Sequence, residues 1–156
     1  MLLARRSVAK RLGLPILGKH VVSAVVGVPP RIMGVGPAFA IPKVLEKTGL
    51  SKDDIDFFEI NEAFASQAVY CTLKLGIPFE KVNINGGAIA IGHPLGCSKL
   101  SVCRASGASA ERCFSAGARQ VATGLNIARQ TGGKVFVTSM CIGSGMGMAA
   151  VFVSEH

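Results

Sequence analysis

The sequence predicts an α/β fold built on a mixed sheet. Short runs rich in β-branched and aromatic residues alternate along the chain with longer segments that carry helix boundary signals. The last two runs are separated by a glycine-rich turn, which is too short for a parallel crossover, so they must form an antiparallel hairpin. Strands that alternate with helices and end in a hairpin are typical of an α/β sandwich.

The first half of the chain is predicted to contain two strands and two helices. Residues 19–26, KHVVSAVV, are β-branched and form the first strand. A loop rich in proline and glycine follows, and Pro37 and Gly49 then mark the two ends of a helix. A short strand over 56–60 leads into a second helix, which we expect to start at Asn61 and to run to about residue 75.

The second half is predicted to contain a histidine-bearing loop, a helix and the closing hairpin. Glycine and proline punctuate each boundary, and the strand runs are short and apolar. The predicted elements are an extended piece over 82–85, a glycine-rich loop over 86–96, a helix over 117–130, a strand over 134–140, a glycine turn over 141–147 and a strand over 148–153.

Composition limits the function classes. The 156 residues suit one domain, and 49% of them are hydrophobic, with a mean hydropathy of +0.46. This apolar excess suggests a surface that meets a partner chain or another domain. No apolar run reaches the length of a membrane helix, and the net charge of +8 has no accompanying nucleic-acid motif, so neither a membrane nor a nucleic acid is expected as a partner. Five cysteines, an odd number, favour free thiols in a reducing compartment.

The N-terminal stretch MLLARRSVAKRLGL has two interpretations. Its arginines and leucines resemble an amphipathic transit peptide. We prefer a surface helix with its apolar residues on one side, because the stretch continues into strand sequence without a break. Those apolar residues are Leu2, Leu3, Val8 and Leu12.

Three side chains at the ends of predicted elements could carry chemistry. Asn61 follows a strand, His93 lies between glycines, and Cys141 ends an apolar strand before a glycine turn. Each also has a structural interpretation: a helix N-cap, a structural histidine and an inert buried thiol, respectively. Glycines let the backbone approach a ligand closely and aim N–H groups at an anion, so the three together suggest acyl transfer.

The motifs around these residues resemble the C-terminal half of the thiolase family. The matching blocks are NEAFA over 61–65, GGAIAIGHPLG over 86–96, CIGSGMG over 141–147, MGVGP over 33–37 and FEINE over 58–62. The resemblance implies a thiolase-like βαβαβαββ half, with a mixed sheet and helices on both faces. It also implies acyl transfer between 3-ketoacyl-CoA and coenzyme A, with coenzyme A as a substrate and no permanently bound cofactor or metal.

The resemblance assigns roles to individual residues. His93 would activate the cysteine nucleophile and donate to the thioester oxygen, together with a water held by Asn61. Cys141 would be the acid/base, and the backbone N–H of Gly143 would serve a second oxyanion hole. The residues expected along the coenzyme A tunnel are Met33, Gly36, Pro37, Ala63 and Phe64.

Two departures from the family pattern affect the expected activity. The family's nucleophilic cysteine belongs to an N-terminal half that this chain lacks, so we expect no activity from the chain alone. We therefore expect residues 1–15 to be the end of that half and residues 16–156 to be the C-terminal domain. The alternative is a non-catalytic fragment that binds coenzyme A or pairs with a thiolase subunit.

The second departure is an insert at 99–116. It separates GCS over 96–98 from GARQ over 117–120, which are adjacent in the family. Cys97, Cys103 and Cys113 could bind a metal, but their spacing matches no common zinc pattern. A regulatory loop is another possibility, but we prefer a retained intron or a surface excursion.

Oligomer and location follow from the resemblance as well. It implies a homo-oligomer or pairing with a thiolase N-terminal half. It also implies a peroxisomal location, with cytoplasm or mitochondrion as alternatives because we recognise no import signal.

Overall fold

The computed structural model describes residues 1–93 and 116–155. The insert expected at 99–116 lies outside this part of the chain except for Ala116, where a helix begins. The candidate metal-binding cysteines Cys97, Cys103 and Cys113 lie outside it as well.

The described residues form nine helices and strands and three 3₁₀ turns. The elements are α1 (Arg6–Arg11), β1 (Gly18–Gly27), α2 (Gly36–Thr48), β2 (Phe57–Ile60), α3 (Ala65–Leu75), α4 (Ala88–Ile91), α5 (Ala116–Thr131), β3 (Val135–Ile142) and β4 (Met146–Ser154), with turns at Pro30–Val35, Lys52–Asp54 and Phe79–Lys81.

The sheet is mixed, as predicted. Its strand order is β1-β4-β3-β2, with β4 antiparallel to both neighbours and β2 parallel to β3. Val82 makes an isolated parallel bridge to Phe58 on the outer side of β2, where the family pattern expects a further strand. With that bridge counted as a strand, the chain has the predicted βαβαβαββ order.

Helices cover both faces of the sheet. On one face Phe57, Phe136 and Phe152 lie side by side across three strands, with ring centroids 5.1 and 5.4 Å apart. Helix α5 packs on this aromatic row through Ile127 and Ala128, both buried. Because side chains alternate along a strand, the residues next to these phenylalanines in each strand face the opposite side of the sheet.

That other face packs against α2. Phe58 and Val137 from the sheet meet Ile41 and Val44 of α2 in one core cluster, and all four are at most 1% exposed. Burying a side chain of this size contributes about 1.5–3 kcal/mol. The two clusters hold the strand ends, on which the candidate site is built, between two helical layers.

The predicted element boundaries were wrong at two places. Helix α3 begins at Ala65 with Phe64 at its N-cap, so Asn61 is not a helix cap. Helix α4 was missed, because four residues between glycines carry no helical periodicity.

The closing hairpin and the N-terminal helix also differ in detail. Strands β3 and β4 pair further than predicted, so that Cys141 lies opposite Gly147 inside the ladder. The surface helix at the N-terminus exists as α1, but Leu2 and Leu3 precede it and are exposed. Within the described residues, none of the helices combines the length and apolarity that crossing a membrane requires.

Candidate active site

The candidate site lies where β2 and β3 end at the same edge of the sheet. Asn61 directly follows β2, and its backbone N–H donates to Ser139 O on β3 at 2.8 Å. Cys141 lies two residues beyond Ser139, on the same strand. Parallel strands therefore bring an amide and a thiol from distant parts of the sequence to one edge.

His93 joins this edge from the glycine-rich segment. Its Nε2 lies 3.3 Å from Asn61 Nδ2, although the two residues are 32 positions apart. Asn61 is 2% exposed, whereas His93 is exposed. A buried amide thus touches a ring that remains open to solvent, which is the arrangement expected for a polar pair that meets a ligand.

Asn83 supports the segment that leads to His93. It has a left-handed φ of +50°, and asparagine adopts this conformation more readily than most residues. Its side-chain amide accepts from Ile60 N at 2.9 Å and donates to Ile60 O at 2.8 Å. The amide thereby makes the two hydrogen bonds that a neighbouring strand would make with the backbone of Ile60. An asparagine inside the extended piece was a signal that the sequence interpretation did not use.

Cys141 is a half-buried free thiol. Burial raises its pKa above the ordinary value of 9.0, so it is protonated at neutral pH. A protonated thiol can donate a proton, and it becomes a base only after doing so. A protonated thiol suits the role of an acid/base that acts on carbon, whereas a nucleophile needs the thiolate form.

The turn after Cys141 is built from glycines with different constraints. A Cβ on Gly143 would meet nothing within 4 Å, which leaves the backbone there accessible. A Cβ on Gly36, at the start of α2, would lie 2.7 Å from the Gly147 Cα, and a Cβ on Gly147 would overlap Gly36 in return. Close backbone packing therefore fixes the start of α2 against the strand opposite Cys141.

A cleft of about 490 Å³ lies between the Pro30–Val35 turn and the start of α3. Two of the residues expected at the coenzyme A tunnel, Met33 and Phe64, line it. Gly36 and Pro37 are buried and Ala63 is half-buried, and none of these three lines the cleft.

Sequence interpretation missed further residues of that cleft on α3. Gln67 and Tyr70 line it, three and six positions after Phe64. That helical spacing was the available signal. Gln67 also donates to the buried thiol of Cys71 at 3.9 Å.

A buried ion pair lies beneath the site. Glu59 of β2 is fully buried and accepts from Arg119 of α5 at 2.9 Å. Burial raises the pKa of Glu59 to about 7, and the Arg119 charge opposes this rise. Among the described residues, Glu59 Oε1 and Arg119 Nη2 have no hydrogen-bond partner. The pair anchors the first turn of α5 to β2, the strand that directly precedes Asn61.

The described residues favour acid/base and oxyanion chemistry at this edge. Within them, no group of three or more His, Cys, Asp or Glu side chains could hold a metal ion. A proton-bearing thiol, an imidazole and an amide at one edge of the sheet can stabilise a developing oxyanion and move a proton to or from carbon.

Comparisons with known proteins agree on one family. The family model described as "Thiolase, C-terminal domain" matches residues 14–112. The peroxisomal 3-ketoacyl-CoA thiolase of Saccharomyces cerevisiae is 57% identical over 155 residues, which are 99% of this chain and 32% of the relative. Cys141 lies beyond the family-model match but inside this longer one. The chain spans about a third of the length of the curated relatives that it matches.

Solved structures give the same result. One structure of the yeast peroxisomal enzyme has a TM-score of 0.79 at 57% identity, covers 97% of this chain and 38% of that chain, and is described as five-layered, with two core domains of identical topology. A second, described as dimeric, has a TM-score of 0.79 at 55% identity and covers 97% and 34%. Human mitochondrial 3-ketoacyl-CoA thiolase in complex with CoA has a TM-score of 0.79 at 36% identity and covers 97% and 34%.

Proposed function

The chain belongs to the thiolase family, and on that premise we propose that it supplies the C-terminal part of a 3-ketoacyl-CoA thiolase. The reaction is acyl transfer to coenzyme A, as in fatty-acid β-oxidation. The observation that carries the proposal is the contact between Asn61 and His93 at the strand edge that also holds Cys141.

The proposed first half-reaction begins outside this chain. A cysteine of the remaining part of the enzyme attacks the 3-keto carbon, and His93 takes the proton of that thiol. The C2–C3 bond then breaks, and its electron pair forms the enolate of acetyl-CoA. The acyl group stays on the attacking cysteine as a thioester. Cys141 donates its thiol proton to C2 and releases acetyl-CoA.

In the second half-reaction the Cys141 thiolate takes the thiol proton of coenzyme A. The coenzyme A thiolate attacks the acyl-cysteine and releases the shortened acyl-CoA, and the freed cysteine thiolate takes back the proton that His93 holds. The raised pKa of Cys141 supports this order, because the residue begins the cycle protonated.

The placement of the donors supports the charge-stabilising roles. When His93 is protonated, its Nε2–H and the Asn61 amide are two donors 3.3 Å apart, close enough to share one oxygen or a bound water. Removing an oxyanion-hole donor of this kind costs about 2.7–4 kcal/mol of transition-state stabilisation. We assign the backbone N–H of Gly143 to a second oxyanion hole, and its exposure in the turn supports this role.

Coenzyme A is proposed to enter through the cleft lined by Met33 and Phe64. Its apolar and backbone-rich lining suits a pantetheine arm. Gly36, Pro37 and Ala63 are then proposed as support for the walls of that cleft.

We further propose that this chain works against a thiolase N-terminal half, in a homo-oligomer and in the peroxisome. Residues 1–15 would belong to the end of the N-terminal half and residues 16–156 to the C-terminal domain. The start of the family match at residue 14 supports this boundary. Exposed apolar side chains near the N-terminus, among them Leu2, Leu3 and Leu17, support a further covering partner.

A hybrid enzyme tests the function. The matched third of the yeast relative is replaced by this 156-residue chain, and cleavage of acetoacetyl-CoA by coenzyme A is measured. We expect cleavage by the hybrid enzyme, its loss in the Cys141→Ala form, and none from the 156-residue chain alone. A folded hybrid enzyme without activity would overturn the proposal.

The second candidate is a non-catalytic fragment that binds coenzyme A or pairs with a thiolase subunit. The 18 residues at 99–116, which separate GCS over 96–98 from GARQ over 117–120, favour it. Calorimetry of the chain with coenzyme A then gives binding heat although the hybrid enzyme is inactive, whereas the first candidate requires turnover.

A further inference from the structure

Glu62 lies directly after Asn61 and uses both oxygens of its carboxylate. Oε1 accepts from Asn83 Nδ2 at 3.0 Å, and Oε2 accepts from the backbone N–H of Ile89 at 2.9 Å. Gly87 packs against the same carboxylate, and any Cβ there would overlap it. The carboxylate therefore lies between two segments with little space around it.

These contacts connect the end of β2 to the segment that carries His93. Asn83 is hydrogen-bonded to Ile60, the last residue of β2. Ile89 of α4 is hydrogen-bonded to Glu62, two residues after the end of that strand. His93 follows Ile89 by four residues. Its ring then contacts Asn61, the neighbour of Glu62.

We propose that Glu62 is a positioning residue that fixes residues 86–93 against the end of β2 and thereby sets the separation of Asn61 and His93. The inference rests on the proposed function, because that separation matters for catalysis only in a thiolase-type site. It assigns Glu62 a role through its two neighbours and no direct contact with substrate.

The chemistry of the carboxylate explains why glutamate stands here. Both of its partners are donors, so the position needs two acceptor oxygens. A glutamine has one acceptor oxygen and would turn an N–H₂ group toward one of the donors. An aspartate is one methylene shorter and cannot reach both. Hydrogen bonds to a charged acceptor are also stronger than neutral ones.

The first test is a nuclear Overhauser effect between the Asn61 side-chain amide and the His93 ring, measured in the 156-residue chain. We expect the signal in the unsubstituted chain and its loss in Glu62→Gln. The control is Glu80→Gln, the same chemical change at an exposed glutamate in the Phe79–Lys81 turn, which should keep the signal.

Two results would overturn the inference: a signal that persists in Glu62→Gln, or one that is absent from the unsubstituted chain. If Glu62→Gln does not fold, Gly87→Ala replaces it. That substitution displaces the carboxylate without removing it, and it should also abolish the signal.

The second test uses the hybrid enzyme. Substitutions of such supporting residues typically cost about 10- to 100-fold, so we expect kcat to fall by that factor in Glu62→Gln, with the KM for coenzyme A unchanged. Glu80→Gln should keep the full kcat. An equal rise in KM without loss of kcat would contradict a positioning role. An inactive unsubstituted hybrid enzyme would refute the proposed function, and the first test would still decide the role of Glu62.

Discussion

The two halves of the candidate site are held in different ways. The cysteine half, Cys141 to Gly147, lies in a paired hairpin and is fixed by backbone hydrogen bonds and by close packing against Gly36. The histidine half, residues 82–93, has one isolated bridge to the sheet at Val82 and is fixed by the side chains of Asn83 and Glu62. The cysteine half should therefore be sensitive to added volume, and the histidine half to lost polar groups.

The largest expected effect comes from adding one methyl group to the cysteine half. In Gly147→Ala the new Cβ overlaps the backbone of Gly36, which cannot move away as a side-chain tip can. Overpacking typically costs about 1–3 kcal/mol and more where backbone must shift, so we expect a loss of about 3 kcal/mol or more. Urea unfolding measures this loss.

The control for Gly147→Ala is Gly27→Ala, at the end of β1, where a Cβ would meet nothing within 4 Å. Its unfolding free energy should change by no more than about 0.5 kcal/mol. Equal losses in the two variants would show that close packing with Gly36 does not fix the cysteine half.

The second prediction concerns pH and tests β2, the strand to which the histidine half is bonded. Strands β3 and β4 carry no ionisable side chain besides Cys141, whereas β2 carries buried Glu59, which faces Arg119 of α5 and has Glu62 nearby. The pKa of Glu59 is raised from 4.5 to about 7, mainly by burial. Between pH 4.5 and about 7, Glu59 thus keeps its proton in the folded chain and has lost it in the unfolded chain. The resulting stability is complete below pH 4.5 and is lost as the pH rises to about 7.

The loss is on the order of 3 kcal/mol, since each unit of pKa difference corresponds to about 1.36 kcal/mol. Unfolding free energies from pH 4.5 to 8 should fall for the unsubstituted chain and stay more nearly level for Glu59→Gln. Burial lowers the pKa of His20, which acts in the opposite direction in both proteins and cancels in their difference. Parallel pH profiles for the two proteins would contradict this assignment.

Sequence and structure agree best where a pattern is local. The β-branched runs gave three of the strands, and the short glycine connection gave the hairpin, because both depend on neighbours in sequence. The pairing of Asn61 with His93 depends on a contact across 32 positions, which no spacing rule contains. The start of α3 was misplaced for a related reason: the side chain of Asn61 meets His93 instead of capping the helix.

The family motifs placed the site residues at the right edge but did not explain what holds them there. Glu62 and Asn83 belong to that support, and besides each other their partners are backbone groups of Ile60 and Ile89. Backbone partners leave no trace in a motif, since any residue can supply them. The catalytic assignments of His93, Cys141 and the other site residues stay predictions until the hybrid enzyme is measured.

The smallest expected effect tests the histidine half through Asn83. Asn83→Ala removes the amide that pairs with Ile60 N and O, both at the buried end of β2. A buried group left without a partner costs about 1–3 kcal/mol, and water that enters at the edge offsets part of this, so we expect a loss of about 2 kcal/mol in the free energy of unfolding.

The same variant should lose the nuclear Overhauser effect between Asn61 and His93, while hydrogen exchange in β3 and β4 stays slow. Asn83→Asp keeps the acceptor for Ile60 N but places a second carboxylate against Ile60 O and the Glu62 carboxylate, so it should lose at least as much as Asn83→Ala. If Asn83→Ala instead accelerates exchange equally in the hairpin, the two halves are one cooperative unit, and the contrast between them does not hold.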